Sequence, residues 1–424
     1  MPSRGYKFLI QSRENEKSIT GKGAILALKT GIAGAVIQLL QALWRLRMRQ
    51  YIPDTILAQG TCHDPDSTGA VIPPIHLATT FLRPPEGYSA TGWSYSRYGY
   101  PGLEQPEATL KALEGAADCR LFSSGMSAMT AVMLALKPGA HCIFPIDMYH
   151  GMRTWLKRCA AHWGMRIEHV DMTDLDAVRA AVVPGITAIV WAETPSNPHW
   201  YLYDLAALAD IAHAAGARLV VDNTVATPLL TQPLAFGADI VVHSATKYLN
   251  GHSDVLAGAA MTAVTDEFWE RVCFNRDYHG GILGQFPAAL LMRGMRTLHL
   301  RIERASESAM TIATACLDHP QVETVYYPGL SSHPGHALAL RQMTGGFGGM
   351  VSIVVKGGLE AAERVMTRTR IWKPATSLGG VESLVERRAA IEGADSHVEP
   401  GLLRLSVGVE AASDLIDDLK TALG

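Results

Sequence analysis

Cysteine is sparse and scattered in this chain of 424 residues: Cys62, Cys119, Cys142, Cys159, Cys273 and Cys316 lie far apart, and no two form a CxxC pair. That spacing excludes the disulfide framework of a small secreted domain and fits buried thiols in a reducing, cytoplasmic setting. A membrane-spanning run is also missing, since the uncharged stretch Thr30–Trp44 holds only 15 residues, short of the ~20 a bilayer requires. No GxxxxGK[ST] loop, HExxH pair or GxSxG elbow occurs, so a nucleotide-cradling P-loop, a zinc-protease helix and a serine-hydrolase elbow are all excluded. "GGFGGM", Gly345 to Met350, is a tightly packed strand start rather than a dinucleotide loop. Internal repeats and low-complexity tracts are absent too.

Charge is unevenly placed. Residues 1–50 carry nine Lys/Arg and two Asp/Glu, a net of +7, which leaves −10 of the total −3 for the rest. An acidic body argues against a nucleic-acid surface. The basic head reads as an N-terminal extension, an amphipathic helix packing on the body or on a partner subunit. A targeting or membrane-surface role is the alternative.

What is present is a large apolar complement, 48% of residues with 18% charged, enough for a substantial core and, at this length, for two packed regions. From Ala117 to Tyr248, "HCIFPID", "TAIVWAET", "ARLVVDNT" and "DIVVHSATK" read as buried strands. "DLDAVRAAV" and "DLAALADIAHAAG" between them have helical spacing. This alternation predicts an α/β fold with a mostly parallel sheet covered by helices on both faces. Ligands of such sheets sit beyond the carboxyl ends of the strands.

The Pro/Gly/Tyr-rich segment around Pro73–Gly102 predicts an extended arm. "ALLMRGMRTLHLRIERASESAMTIATACL" predicts a long helix, leading to a smaller α+β region and a closing helix over "AASDLIDDLKTAL". The expected divisions are 1–50, the arm 51–97, a large domain 98–285 and a C-terminal domain 286–424.

In "DIVVHSATKYLNGHSDV", Asp239 to Val255, Lys247 follows a buried strand with Ser244 and Thr246 beside it. A lone lysine after a strand is ordinarily a solvated surface group. Desolvation, however, favours the neutral amine, the form that condenses with an aldehyde, and pyridoxal phosphate supplies one. That cofactor is an electron sink only while its ring nitrogen is protonated, which calls for a carboxylate. Asp222 of "VVDNT" ends a buried strand and meets that need, the competing role being a cap or turn residue. "FSSGMSAMTAVMLAL" opens a helix whose amides near Gly125 and Met126 suit a phosphate. Tyr149 in "IDMYHGM" is either a ring-stacking residue or a core aromatic.

With these residues, the chain resembles the cysteine and methionine metabolism enzymes of the fold-type I pyridoxal-phosphate group, from about Thr55 to the end. "DIVVHSATKYLNGHSD" fits that family's lysine signature, and "SRYG", "LEGA", "SSGM", "PSNP", "VDNT", "SLGGVESL" and "LLRLSVGVE" recur in its order. The resemblance implies that Lys247 forms the imine with the cofactor, Asp222 pairs with the ring nitrogen and Tyr149 stacks on the ring and assists the lysine or the leaving group. Asn197 would contact the ring hydroxyl, and Gly125, Met126, Ser244 and Thr246 would bind the phosphate. Tyr95 and Arg97 would reach the phosphate of a neighbouring subunit, in a homo-oligomer that is a tetramer of two active dimers. Arg404, otherwise a surface ion-pair residue, would grip the substrate carboxylate with a bidentate fork, with Ser377 beside it.

The reaction so implied is γ-elimination or γ-replacement on an amino acid bearing an S- or O-linked γ-substituent, through a vinylglycine-type intermediate. A cystathionine β-lyase or γ-synthase is the alternative within the family, and a non-catalytic ligand-binding protein outside it. Three departures bear on the substrate. Tyr100-Pro101-Gly102 replaces "NPT", Tyr149-His150-Gly151-Met152 lacks the thiol of methionine γ-lyases, and Thr376 stands where γ-synthases commonly carry a glutamate.

Overall fold

Seven short strands between Asp118 and Thr262 pair into one sheet: β1 (Asp118–Phe122), β2 (His141–Pro145), β3 (Arg166–Val170), β4 (Thr187–Glu193), β5 (Arg218–Asp222), β6 (Ile240–His243) and β7 (Gly258–Thr262). The structure, a computed structural model, describes residues 51–60, 70–83, 92–392 and 397–424. The basic extension over 1–50, Cys62 and the part of the arm over 84–91 lie outside the described residues. The order across the sheet is β1-β7-β6-β5-β4-β2-β3. β6, β5, β4, β2 and β3 run parallel, whereas β7 runs antiparallel to both of its neighbours.

Parallel strands covered on both faces are apolar along their whole length. β2 and β6 are accordingly buried at every position. Helices His150–Cys159, Leu175–Ala181 and Leu205–Ala214 supply the crossovers. Asp174 and Asp204 start the second and third of these, each accepting from backbone amides of the first turn. The core under the sheet gathers Phe122, Met129, Phe144, Trp191, Val220 and Trp269, with the Phe144 and Trp191 rings stacked at 5.5 Å.

A second sheet is built from β8 (Val322–Tyr326), β9 (Met350–Val355), β10 (Lys373–Pro374), β11 (Leu384–Arg387) and β12 (Leu402–Ser406), in the order β10-β11-β12-β9-β8. All of its pairings are antiparallel except that of β10 with β11. Ile312, Val351, Ile353, Trp372, Leu403 and Leu405 form its core.

The segment expected as one long helix is two, Gln285–Met295 and Leu298–Leu317. The break has a tertiary cause. Arg301, buried against the first layer, donates to the carbonyls of Gly294 and Tyr248 at 2.8 and 2.7 Å. The Gly294 carbonyl is thereby shared between the guanidinium and the Thr297 amide, 3.3 Å away in a tighter turn. Gly294 also passes so near Asn250 that a Cβ there would lie 2.2 Å from the Asn250 carbonyl oxygen.

The loop after β4 joins the two sheets. Trp200 Nε1 donates to Ser352 Oγ on β9, and that hydroxyl donates to the Pro198 carbonyl. His199 lies between Asp147 and Glu399 at 2.7 and 2.9 Å, with Tyr326 donating to the other oxygen of Glu399. The arm over 70–83 is extended and leaves Val71, Leu77 and Leu82 exposed. Among the described residues no helix is long and apolar enough to cross a membrane, and Cys119, Cys142, Cys159, Cys273 and Cys316 are free thiols.

Candidate active site

The carboxyl ends of β4, β5 and β6 deliver Glu193, Asp222 and the turn carrying Lys247 to one edge of the first sheet. Arg301 anchors that turn from behind through the Tyr248 and Leu249 carbonyls. Lys247 Nζ donates to Ser377 Oγ at 2.7 Å, across from the first sheet to the loop before β11. Burial, helped by the Arg404 charge, lowers the lysine to about 8, against an opposing pull from Glu386. About a tenth of the amine is therefore neutral at pH 7, far more than for an ordinary lysine.

Ser377 also gives its backbone carbonyl to Arg404 Nη2 at 2.8 Å. Its φ of +87° lies in the left-handed region, a conformation that costs a non-glycine residue ~1–3 kcal/mol and gathers at functional sites.

Asp222 is buried, and burial raises its carboxyl above the usual range although hydrogen bonds from Thr224 and the charge of His243 pull it down. Thr224 donates to Oδ1 through both its amide and its hydroxyl, at 3.0 and 2.5 Å. Among the described residues Oδ2 has no hydrogen-bond partner. A buried carboxylate with one open oxygen calls for a cationic N–H donor.

Thr224 Oγ1 also accepts from the Ser244 amide at 2.8 Å. Ser244 in turn abuts the N-terminus of helix Gly125–Leu134: a Cβ on Gly125 would sit 2.8 Å from that of Ser244. Ser124 caps the helix by accepting from Ser127 N. The start of β7 passes just as close, since a Cβ on Gly258 would lie 2.1 Å from the Ser124 carbonyl oxygen. Gly125, Met126 and Ser244 thus form a small-residue cradle at a helix N-terminus, suited to an anion. Thr246 is engaged differently: its hydroxyl donates to the Ala257 carbonyl and accepts from the Ala257 amide.

Tyr149 opens helix His150–Cys159 with its ring over Gly151, where a Cβ would strike ring carbons at 2.6 Å. Its hydroxyl is raised by burial and by the charges of Asp222 and Glu193, and lowered by Arg388 and Arg404, which puts it in the same electrostatic environment as the lysine. Glu193 accepts from the Tyr149 amide at 2.6 Å and from the Asn197 amide at 3.2 Å. Asn197 Oδ1 lies 3.4 Å from Arg404 Nη1.

Lys247, Asp222, Tyr149, Asn197, Ser244, Gly125, Ser377 and Arg404 are thus brought together at one edge of the sheet, with Met126 next to Gly125 in the first turn of its helix. Among the described residues Tyr95 and Arg97 make no contact with that group. Tyr95 bridges to Thr80, and the Arg97 guanidinium rests over Tyr98 and Tyr278 at 4.8 and 5.7 Å.

Four residues of the site were not singled out from sequence: Glu193, Thr224, Glu386 and Arg388. Thr224 and Glu193 sit at the ends of recognisable strands, so position alone offered a signal. Glu386 and Arg388 gave none. Glu386 stands opposite Arg404 across β11 and β12, with Oε2 at 2.6 Å from Arg404 Nη2 and 2.9 Å from Arg388 Nη1.

A desolvated amine, an open carboxylate oxygen and a helix N-terminus at one sheet edge suit a flat ligand bearing an aldehyde, a basic ring nitrogen and an anion. On this fold that combination defines a fold-type I pyridoxal-phosphate enzyme. The chain belongs to the Cys/Met metabolism PLP-dependent enzyme family, whose model matches residues 54–424, and its cofactor is pyridoxal phosphate. It is similar to cystathionine gamma-synthase of Mycobacterium tuberculosis, 44% identical over 84% of this chain and 93% of the relative. It is also similar to cystathionine gamma-lyase of Bacillus subtilis, 41% identical over 87% and 98%. A crystal structure of metB from Corynebacterium glutamicum superimposes with a TM-score of 0.85 at 39% identity, covering 89% of this chain and 98% of that one. The protein is thus a pyridoxal-phosphate-dependent enzyme of the trans-sulfuration family.

Proposed function

We propose that the enzyme carries out γ-elimination or γ-replacement on an α-amino acid with an S- or O-linked γ-substituent. The observation that carries this reading is the half-buried Lys247 amine, lowered to about 8 and held by Ser377 beside Arg404. γ-Chemistry needs one base to remove a proton first at the α-carbon and then at the β-carbon. A flexible lysine near neutrality suits both steps.

The cofactor would be held by Lys247 at its aldehyde carbon, Asp222 at its ring nitrogen, Tyr149 against its ring and Asn197 at its hydroxyl. Gly125, Met126, Ser244 and Thr246 would hold its phosphate, with Thr246 turning from Ala257. When bound, it serves as an electron sink for the pair left on the substrate's α-carbon. Arg404 anchors the substrate carboxylate and sets which α-proton faces Lys247 Nζ. Tyr149, its phenol held protonated by burial and nearby carboxylates, is placed to donate toward the departing γ-group.

The arm fits a shared site: its exposed Val71, Leu77 and Leu82 ask for cover, and Tyr95 and Arg97 would complete the phosphate site of a second copy. A homotetramer of two such dimers and a cytoplasmic location complete the proposal. The names of the relatives, synthase and γ-lyase, support γ-chemistry. Thr376, exposed and neutral beside Ser377, favours substrates without a distal ammonium.

Product analysis with cystathionine, methionine and O-acylhomoserines tests the assignment. A four-carbon 2-oxo acid or a substituted homoserine skeleton is expected; pyruvate as the main product would instead make the enzyme a β-lyase.

A further inference from the structure

The amino ends of the first sheet's strands, at the edge opposite Asp222 and Lys247, border a cavity of about 550 Å³, a size typical of small-molecule sites. It opens where β2, β4 and β5 begin, between the loop leaving helix Gly125–Leu134 and the start of helix Glu267–Tyr278. Arg218 opens β5 and Asp222 closes it, so roughly 13 Å of strand separates the cavity from the candidate active site. None of the residues gathered at that site lines it.

The charged lining is three cations, Lys137, Arg218 and Arg271, and two carboxylates, Asp266 and Glu267. The two arginines are committed to different degrees. Arg218 Nη2 holds Asp266 at 2.7 Å, and Asp266 also accepts from the Trp269 amide as the cap of its helix. Arg271 Nη1 pairs at 2.7 Å with Glu267, whose side chain is 86% exposed; an exposed pair one turn apart on a helix contributes little. Arg271 is nevertheless kept in place. Its Nε donates to the Ala135 carbonyl at 2.9 Å, and the buried Phe268 ring lies under the guanidinium groups of Arg218 and Arg271, at 4.8 and 5.7 Å. Lys137, two residues beyond Ala135, is exposed, and its side chain has no hydrogen bond or ion pair among the described residues. Leu136, Pro138 and Ile186 add an apolar wall.

We propose that this cavity is a second ligand site, which takes a small organic acid: its one carboxylate is held by Arg271 and Lys137, and its flat apolar body lies along Ile186 and the guanidinium of Arg218. The site stands whichever reaction the active site runs. Binding is a displacement that makes and breaks no covalent bond. The acid takes the Nη edge of Arg271 from Glu267, which turns to water at little cost because it is exposed already. Arg218 stays with Asp266, and its plane is a weakly hydrated surface for a ring. With one cation more than it has carboxylates, the lining disfavours an amine.

Calorimetric titration of the full-length holoenzyme with hydrocinnamate tests the site, with hydrocinnamyl alcohol as its uncharged counterpart. The acid is expected to bind once per chain and the alcohol at least about tenfold more weakly, the scale of a charge-assisted hydrogen bond. Equal affinities would overturn the carboxylate's role, and no saturation below about 10 mM would overturn the site. Arg271→Gln should loosen the acid about tenfold or more and Lys137→Gln about fivefold. Glu267→Gln removes the competing carboxylate and should tighten the acid about twofold; an equal or looser complex would refute the displacement.

Arg404→Gln distinguishes the cavity from the substrate site. Affinity kept there and lost in Arg271→Gln supports the proposal, whereas the reverse pattern places the acid at the substrate anchor and overturns it. Should Arg271→Gln fail to fold, Ile186→Glu decides. Position 186 is half exposed, and a carboxylate there repels the acid without touching the bonds that hold Arg271. Affinity should fall about tenfold or more, and an unchanged value would show that the acid binds elsewhere.

Discussion

Two cations, the buried His199 and the half-buried Lys247, lie between the same two sheets and meet opposite treatment. Burial pushes both toward the neutral form. At His199 it is overcome by hydrogen bonds donated to Asp147 and Glu399, and the ring rises to about 9 while Glu399 falls to about 2 against its own burial. At Lys247 the bonded partner is a hydroxyl and the close charges are mostly cations, so the amine falls to about 8. The first cluster is fully paired and holds the sheets together. The second withholds a carboxylate from the amine, because a lysine locked in an ion pair is neither a nucleophile nor a base. Stability and reactivity are set apart by one variable, the presence of a carboxylate at the cation.

The largest effect that would sharpen this contrast is on turnover. Lys247→Ala is expected to lower it by about four orders of magnitude or more while cofactor still binds through its other contacts; retained activity would remove the lysine from the chemistry. Mixed with an Arg97→Ala protein whose cofactor retention is weakened, it should recover some activity in hybrid dimers, and confirmed hybrids without recovery would break the shared-site proposal.

Next is stability. His199→Gln should cost about 2–3 kcal/mol in denaturant unfolding, since two buried or half-buried carboxylates lose their cation. The pH dependence follows from the sign of each shift. The histidine contribution is complete below its ordinary value of 6.5 and lost as pH rises through about 9. The Glu399 contribution is complete above 4.5 and lost as pH falls through about 2. The parent should therefore lose stability between neutral and alkaline pH by a component the variant lacks, and parallel curves would refute the pairing.

The smallest effect has the opposite sign. In the cofactor-free protein Lys247→Met should raise stability at pH 7 by roughly 1–2 kcal/mol, because the unfolded chain protonates the lysine more readily than the folded one does. The gain should fade as pH rises from about 8 to 10.5. A destabilised variant would mean that the amine is not held at an energetic disadvantage.

Much of the sheet and the site was legible because their signals are local. A buried apolar run ending in Asp222 or leading to Lys247 announces both the strand and the chemistry at its end, and the Ser-Gly start of helix Gly125–Leu134 announces a cap. Residues that depend on register were not legible. Glu386 matters because β11 pairs with β12 so as to oppose it to Arg404, and nothing in the sequence around either residue states that pairing. The break at Arg296–Thr297 was hidden for a related reason: the periodicity runs through it, and the group that opens it, the Arg301 guanidinium, is placed by contacts with the Lys247 turn. Tyr95 and Arg97 carry a recognisable motif, yet the part proposed for them would need a second copy of the chain.

Glu193 receives backbone N–H groups from two loops, at Tyr149 and at Asn197. It acts as a gauge block between the aromatic wall of the cleft and the loop that carries the arginine's neighbour. Because both of these contacts are made by main chain, they do not depend on the side chains carried at 149 and 197. The spacing of these two walls is thus carried by the backbone, and their chemistry by the side chains mounted on it.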